Sequence, residues 1–136
     1  MTEVHPQSDA EMRALAAEWS RTWRIGDLVL LRGELGAGKT TFVRGVLEGL
    51  GYVGPVRSPT FNLIQVFETS PPIMHADLYR LKDATGVGLE DYLDTHLCFV
   101  EWPDRLGTLL DPSAAWRVEI EFEGKGRLVR IIPPKN

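Results

Sequence analysis

Residues 33–40 read Gly-Glu-Leu-Gly-Ala-Gly-Lys-Thr, a match to G-x-x-x-x-G-K-[ST] that restricts the fold more than any other feature of the chain. The glycines let backbone N–H groups turn inward around phosphate oxygens, and the pattern works only where a strand delivers the loop and a helix starts at its end. Both flanks have that character. Leu28, Val29, Leu30 and Leu31 form an apolar run without polar alternation, as in a strand covered on both faces. Beyond Lys39, the residues Phe42, Val43, Val46, Leu47 and Leu50 recur at helical spacing, and Gly51 stands where a helix stop belongs. A chance match in a chain of this length has a probability on the order of a few in a thousand. The context makes it rarer still. The loop predicts a nucleotide-binding α/β unit in which Lys39, on an exposed loop, neutralises β/γ charge and Thr40 offers its hydroxyl to Mg²⁺.

The rest of the chain reads as further pieces of the same unit. Ser8 and Glu11 have capping-box spacing, and Met12, Leu15, Ala16, Trp19 and Trp23 then share one face, which predicts a helix over 9–24 closing near Gly26. Gly54, Pro55 and Ser58-Pro59 make 53–60 a loop. Residues 61–67 and 73–79 are rich in β-formers and predict a strand pair, whereas 83–93 is a weak helix interrupted by Gly86 and Gly88. Residues 97–100 form a second short buried strand, which Pro103 keeps from continuing. Trp116, Val118, Ile120 and Phe122 alternate with Arg117, Glu119, Glu121 and Glu123; Gly124-Lys-Gly126 then turns into 127–132, a hairpin with one buried face. Trp19, Trp23 and Trp116 have packing roles. The expected fold is a single-domain α/β P-loop NTPase over residues 1–136, with helices flanking a mixed sheet that is parallel near the loop and antiparallel toward the hairpins.

Composition removes several function classes. Fifteen basic against 19 acidic residues give a net charge of −4, so the chain has no general attraction for nucleic acid, and any RNA contact is local or made through a partner. The longest apolar runs are four residues, against the ~20 that a membrane helix needs. The first residues lack the pattern of a secretory signal, and the one cysteine, Cys98, lies inside an apolar run, so a reducing cytoplasm is the expected compartment. Three histidines and one cysteine offer no zinc or iron spacing, and no G-x-S-x-G elbow occurs. The absence of an N-K-x-D segment favours ATP over GTP.

A phosphate loop needs an acid for the metal and for water. Glu101 follows the apolar strand 97–100, at the end where ligands bind in open α/β sheets. As a glutamate it is as well suited to polarising water as to holding Mg²⁺. Asp77 ends the β-like stretch 73–76 and is a second candidate for the metal. His75 reads as an inner-face histidine sharing a strand side with Asp77. Arg44, Arg57, Arg80 and Arg105 read as solvated surface, with Arg80 the one to watch.

The motifs converge on a known family. Gly33-Glu-Leu-Gly-Ala-Gly-Lys-Thr-Thr-Phe42, Ser58-Pro-Thr-Phe61, His75-Ala-Asp-Leu-Tyr-Arg80 and Val100-Glu-Trp-Pro103, in this order, resemble the TsaE (YjeE) family over about residues 10 to 122. The resemblance implies a bacterial P-loop ATPase that works with TsaB and TsaD to install threonylcarbamoyl on the adenosine beside the anticodon of tRNAs, without being the transferase. It implies that Gly33, Glu34, Leu35, Gly36, Ala37, Gly38, Lys39, Thr40 and Thr41 bind nucleotide, with Trp102 nearby. It implies a switch role facing the γ-phosphate for Thr60, a place near the metal for Asp77, and the acid of the E-W-P motif for Glu101. Ala76 stands where many members carry an aromatic residue, and 83–93 has more glycines than relatives, so partner contacts there stay open.

The resulting expectation is Mg²⁺-assisted transfer of the ATP γ-phosphoryl group to water. Lys39 stabilises charge, Thr40 and Asp77 organise the metal, Glu101 orients or deprotonates water, and Thr60 changes the docking surface. Two alternatives share the loop: a small-molecule kinase, for which 136 residues leave little room for an acceptor pocket and lid, and a non-hydrolysing, nucleotide-dependent binding module.

Overall fold

The structure is a computed structural model that describes residues 1–56, 63–79, 88–106 and 111–135. In chain order its elements are β1 (Thr2–Val4), α1 (Asp9–Trp19), β2 (Leu28–Arg32), α2 (Lys39–Gly49), β3 (Ile64–Phe67), β4 (Ile73–Asp77), β5 (Leu97–Glu101), β6 (Trp116–Glu123) and β7 (Gly126–Ile132). Short 3-10 turns lie at Leu89–Asp91, Pro103–Leu106 and Pro112–Ala114. Among the described residues the strands form one sheet of order β1-β7-β6-β2-β5-β4-β3. The centre is parallel: β2 pairs with both β5 and β6, and β4 with β5. Both flanks, β3–β4 on one side and β6–β7–β1 on the other, are antiparallel.

The unbroken apolar runs of β2 and β5 follow from their place in the middle of this sheet. Val29, Leu31, Leu97, Phe99 and Ile73 belong to the core beneath α1 and α2. Leu30, Cys98, Val100, Met74 and Ala76 pack on the other face against Leu78, Leu89, Leu106 and Ala115. The two helices cross closely: a Cβ on Gly45 would lie 2.5 Å from the Arg13 carbonyl oxygen, and one on Gly49 would lie 2.8 Å from that of Ala17.

Several boundaries differ from the sequence reading. Helix α1 starts as expected, with Glu11 N–H donating to Ser8 Oγ at 3.1 Å, but ends at Trp19 rather than near residue 24. Ser20 Oγ donates to the Ala17 carbonyl at 2.6 Å, and the chain leaves the helical path in a turn. Leaving it brings Trp23, 2% exposed, under the sheet against Trp19, Phe42, Phe99 and Trp116 at ring separations of 5.6–6.0 Å. Strand β1 has no counterpart in the sequence pattern, because three residues are too few to show a period.

Strand β5 extends one residue further than expected, to Glu101. Strand β4 stops at Asp77, whose Oδ1 accepts the Tyr79 N–H at 3.0 Å and turns the chain off the sheet. Phe122 is not on a buried face: it is 50% exposed, with the Arg127 guanidinium 4.5 Å above its ring. Of the expected helix over 83–93, residues 88–93 contain one 3-10 turn, and 83–87 lie outside the described residues.

Candidate functional site

Strands β2, β4 and β5 run parallel, so their carboxyl ends meet at one edge of the sheet. The register sets Leu31 opposite Glu101 and Glu101 opposite Asp77. Strand β2 then passes through Arg32 into Gly33, and the loop reaches the first turn of α2 at Lys39. Gly33 is required by crowding, since a Cβ there would sit 2.6 Å from the Ile120 carbonyl oxygen. Gly36 and Gly38 are required by conformation, with φ of +81° and +115°.

Lys39 is 5% exposed rather than on an exposed loop. Its Nζ donates to the carbonyl oxygens of Gly33 and Glu34 and lies 4.2 Å from the centre of the Trp102 ring. Burial lowers its pKa, opposed by the nearby carboxyl groups of Glu101 and Asp77. Trp102 reaches this position because its backbone takes a left-handed turn, φ 60°, directly after β5. Its other neighbour is the Tyr79 ring, 4.8 Å away. Trp102 thus covers the loop lysine.

Glu101 is 3% exposed. Its Oε2 accepts from Thr40 Oγ1 at 2.9 Å and lies 2.6 Å from His75 Nε2. Asp77, half-buried beside it, has its pKa raised by burial first; the Tyr79 N–H opposes that shift and Glu101 adds to it. Lys39, Thr40, Asp77, Glu101 and Trp102 line one cleft of about 220 Å³, together with Leu35, Gly36, Gly38 and Thr41. Thr60 lies outside the described residues, as do Arg57 and Arg80.

On one flank, sharing Gly36, Gly38 and Thr41, is a cleft of about 340 Å³ between the start of α1 and the β6–β7 turn, lined by Gln7, Met12, Ala37 and Arg127 among others. On the other flank is a wider groove of about 640 Å³ that shares only Trp102 with the central cleft. No sequence pattern singles out Arg127. Its Nε donates to the Ala37 carbonyl at 2.9 Å and so braces the loop from β7.

The donor set fits a magnesium nucleotide. Among the described residues no group of three His, Cys, Asp or Glu side chains is placed to hold a metal by itself. Mg²⁺ bound with nucleotide asks for less: one or two protein oxygens, phosphate oxygens and water. The Thr40 hydroxyl, which donates its proton to Glu101, is an oxygen of the kind such an ion takes.

A glycine loop joining a central parallel strand to a helix, with acids at the same sheet edge, defines a P-loop α/β fold. The model of the family "Threonylcarbamoyl adenosine biosynthesis protein TsaE" matches residues 6–130, and the chain belongs to that family. It is 39% identical over 114 residues to the tRNA threonylcarbamoyladenosine biosynthesis protein TsaE of Haemophilus influenzae, covering 80% of this chain and 72% of that one. It is 44% identical over 98 residues to the Streptomyces coelicolor TsaE, covering 67% and 66%, and 39% identical over 102 residues to the Bacillus subtilis TsaE, covering 73% and 63%. The crystal structure of Bacillus subtilis YdiB superposes with a TM-score of 0.81 at 30% identity, covering 94% of this chain and 82% of that one. The protein's role therefore lies in tRNA threonylcarbamoyladenosine biosynthesis. Among the described residues no helix is long and apolar enough to cross a membrane.

Proposed function

We propose that the chain binds MgATP at this cleft and hydrolyses it to ADP and phosphate, as the cytoplasmic ATPase component that supports the TsaB–TsaD transfer complex, and that it is not the transferase. The observation that carries this reading is the convergence of Lys39, Thr40, Asp77 and Glu101 on one cleft at the carboxyl edge of the sheet. The loop N–H groups and the start of α2 receive the phosphates, and phosphate oxygens take over Lys39 Nζ from the two loop carbonyls. The flanking cleft between α1 and the β6–β7 turn takes the adenosine, since it opens from the same loop residues. Mg²⁺, when bound with the nucleotide, would supply Lewis-acid stabilisation of phosphate charge. Thr40 and Asp77 hold that ion in place, and Glu101 orients or deprotonates the attacking water. Thr60 and its loop couple the nucleotide state to partner docking, and tRNA is contacted locally or through the partners.

The Thr40–Glu101 bond favours a second division of labour, in which Glu101 fixes the Thr40 hydroxyl for the metal and Asp77 serves the water. Single-turnover phosphate release with TsaB and TsaD present tests both. Glu101→Gln keeps the size and the accepting oxygen but loses basicity. On the first assignment ATP and Mg²⁺ still bind while hydrolysis falls by about 10²- to 10⁴-fold, and excess Mg²⁺ partly rescues Asp77→Asn instead. A Mg²⁺-rescuable defect at Glu101 exchanges the two acids. No phosphate release by the wild type refutes the ATPase reading and leaves the nucleotide-dependent binding module.

A further inference from the structure

We infer that His75 is a positioning residue for this reaction, acting on the Glu101 carboxylate; the inference rests on the ATPase reading above. His75 is wholly buried, two residues before Asp77 on the same side of β4, and stands opposite Phe99 in the register. Its Nε2 lies 2.6 Å from Glu101 Oε2, the same oxygen that accepts from Thr40 Oγ1 at 2.9 Å. Its Nδ1 is buried and has no hydrogen-bond partner among the described residues. A carboxylate only accepts, so the proton shared between the two side chains is carried on Nε2.

This arrangement is not what packing alone selects. Ile73 and Leu97, on the same face, fill equivalent space with no polar atom to satisfy. Placing an imidazole there leaves one ring nitrogen unpaired, and what it brings in return is a single directed N–H toward Glu101. Glu101 needs that donor. It is the last residue of β5, and the backbone turns at Trp102, φ 60°, immediately after it. Thr40 restrains the carboxylate from the loop side, and His75 restrains it from within the sheet. With both bonds on Oε2 the carboxylate rotation is fixed, whether the group serves the water or the Thr40 hydroxyl. His75 touches no reacting atom and works through Glu101.

The first test needs no nucleotide. Long-range ¹⁵N–¹H NMR of the ligand-free protein reads the imidazole protons directly; a proton on Nε2 that exchanges slowly is expected, and an Nε2 without a proton overturns the inference. The second compares His75→Gln, whose side-chain amide can return an N–H to the same place, with His75→Leu, which fills the space without a donor. In the partner-activated assay His75→Leu is expected to lower kcat by about ten- to a hundredfold with KM for ATP within about twofold, and His75→Gln to recover most of that loss at a similar melting temperature. Because His75 acts through Glu101, adding His75→Leu to Glu101→Gln should cost no further activity. An inactive wild type refutes the ATPase reading itself. An active wild type, an impaired Glu101→Gln and a fully active His75→Leu overturn the role of His75 alone.

Discussion

Replacing Gly45 by alanine sets two opposing effects against each other, and the crossing of α1 and α2 decides between them. Alanine is the better helix former by about 1 kcal/mol. At this position, however, the added Cβ would lie 2.5 Å from the Arg13 carbonyl oxygen, 2.7 Å from Arg13 Cα and 2.8 Å from Ala16 Cβ. Comfortable contacts fall near 3.5–4 Å, so the helices must separate by about 1 Å. Two of the three contacts are to backbone, which no rotamer change relieves. Overpacking of this kind costs about 1–3 kcal/mol, and moving α1 also loosens Ala16 and Met12, both buried at the same interface. The net expectation is a loss of about 1–2 kcal/mol, a fall in melting temperature of about 3–10 °C for a chain of this size. Urea denaturation followed by far-ultraviolet circular dichroism gives the midpoint and the slope; the midpoint should fall with the slope unchanged. A Gly45→Ala protein as stable as wild type, or more stable, would show that helix propensity governs here and that the crossing tolerates a methyl group.

Three further outcomes follow from other parts of the structure. Nucleotide should change tryptophan emission through Trp102, whose ring lies 4.2 Å from Lys39 Nζ; a change of equal size in Trp102→Phe would place the reporter among Trp19, Trp23 and Trp116. Arg127→Ala removes the brace on the Ala37 carbonyl and should weaken ATP binding by about 5- to 10-fold, read by calorimetry, and unchanged affinity would mean the loop holds its shape without it. Burial pushes the Cys98 thiol up to about 12 from its ordinary 9.0, so the folded state keeps a proton that the unfolded state releases, and this group's contribution lowers stability as pH rises above 9.0. Alkylation at pH 8 should therefore be slow in native protein and fast in denaturant; equal rates would show that the thiol is accessible.

What could be read in the sequence and what could not divides along sequence separation. The glycine loop, the two apolar runs, the α2 face and the β6–β7 hairpin are local patterns, each set by neighbours within a turn or a strand, and each stands in the structure. The candidate acids were found for the same reason: an acid closing an apolar strand marks a sheet edge. The bonds that make a site of them join distant positions. Thr40 and Glu101 are 61 residues apart, and His75 and Glu101 are 26 apart. His75 was legible as an inner-face residue, but its partner depends on the β4–β5 register, which no local period reports. The end of α1 departs from its apolar pattern for another reason. The apolar spacing to Trp23 is real, yet the tryptophan reaches the core through a turn, because its ring packs beneath the sheet rather than along the helix face.

The register that brings the acids together is itself set by the core. On β4, Ile73, His75 and Asp77 share one side, and on β5 Leu97, Phe99 and Glu101 share the side beside them. Ile73, Leu97 and Phe99 are wholly buried under the helices, so the side bearing the acids is chosen by the residues that cannot face water. A slip of one residue between β4 and β5 would set Ala76 opposite Glu101, and with it Asp77 would leave the level of the phosphate loop. The opposite face resists the same slip, since Met74, Ala76, Cys98 and Val100 are buried in a second core. Two cores pulling on one register explain how short strands hold two carboxyl groups side by side against their mutual repulsion. The sheet centre is buried on both faces, and the candidate site stands at its carboxyl edge, where β2 leaves for the glycine loop and the Trp102 ring covers Lys39.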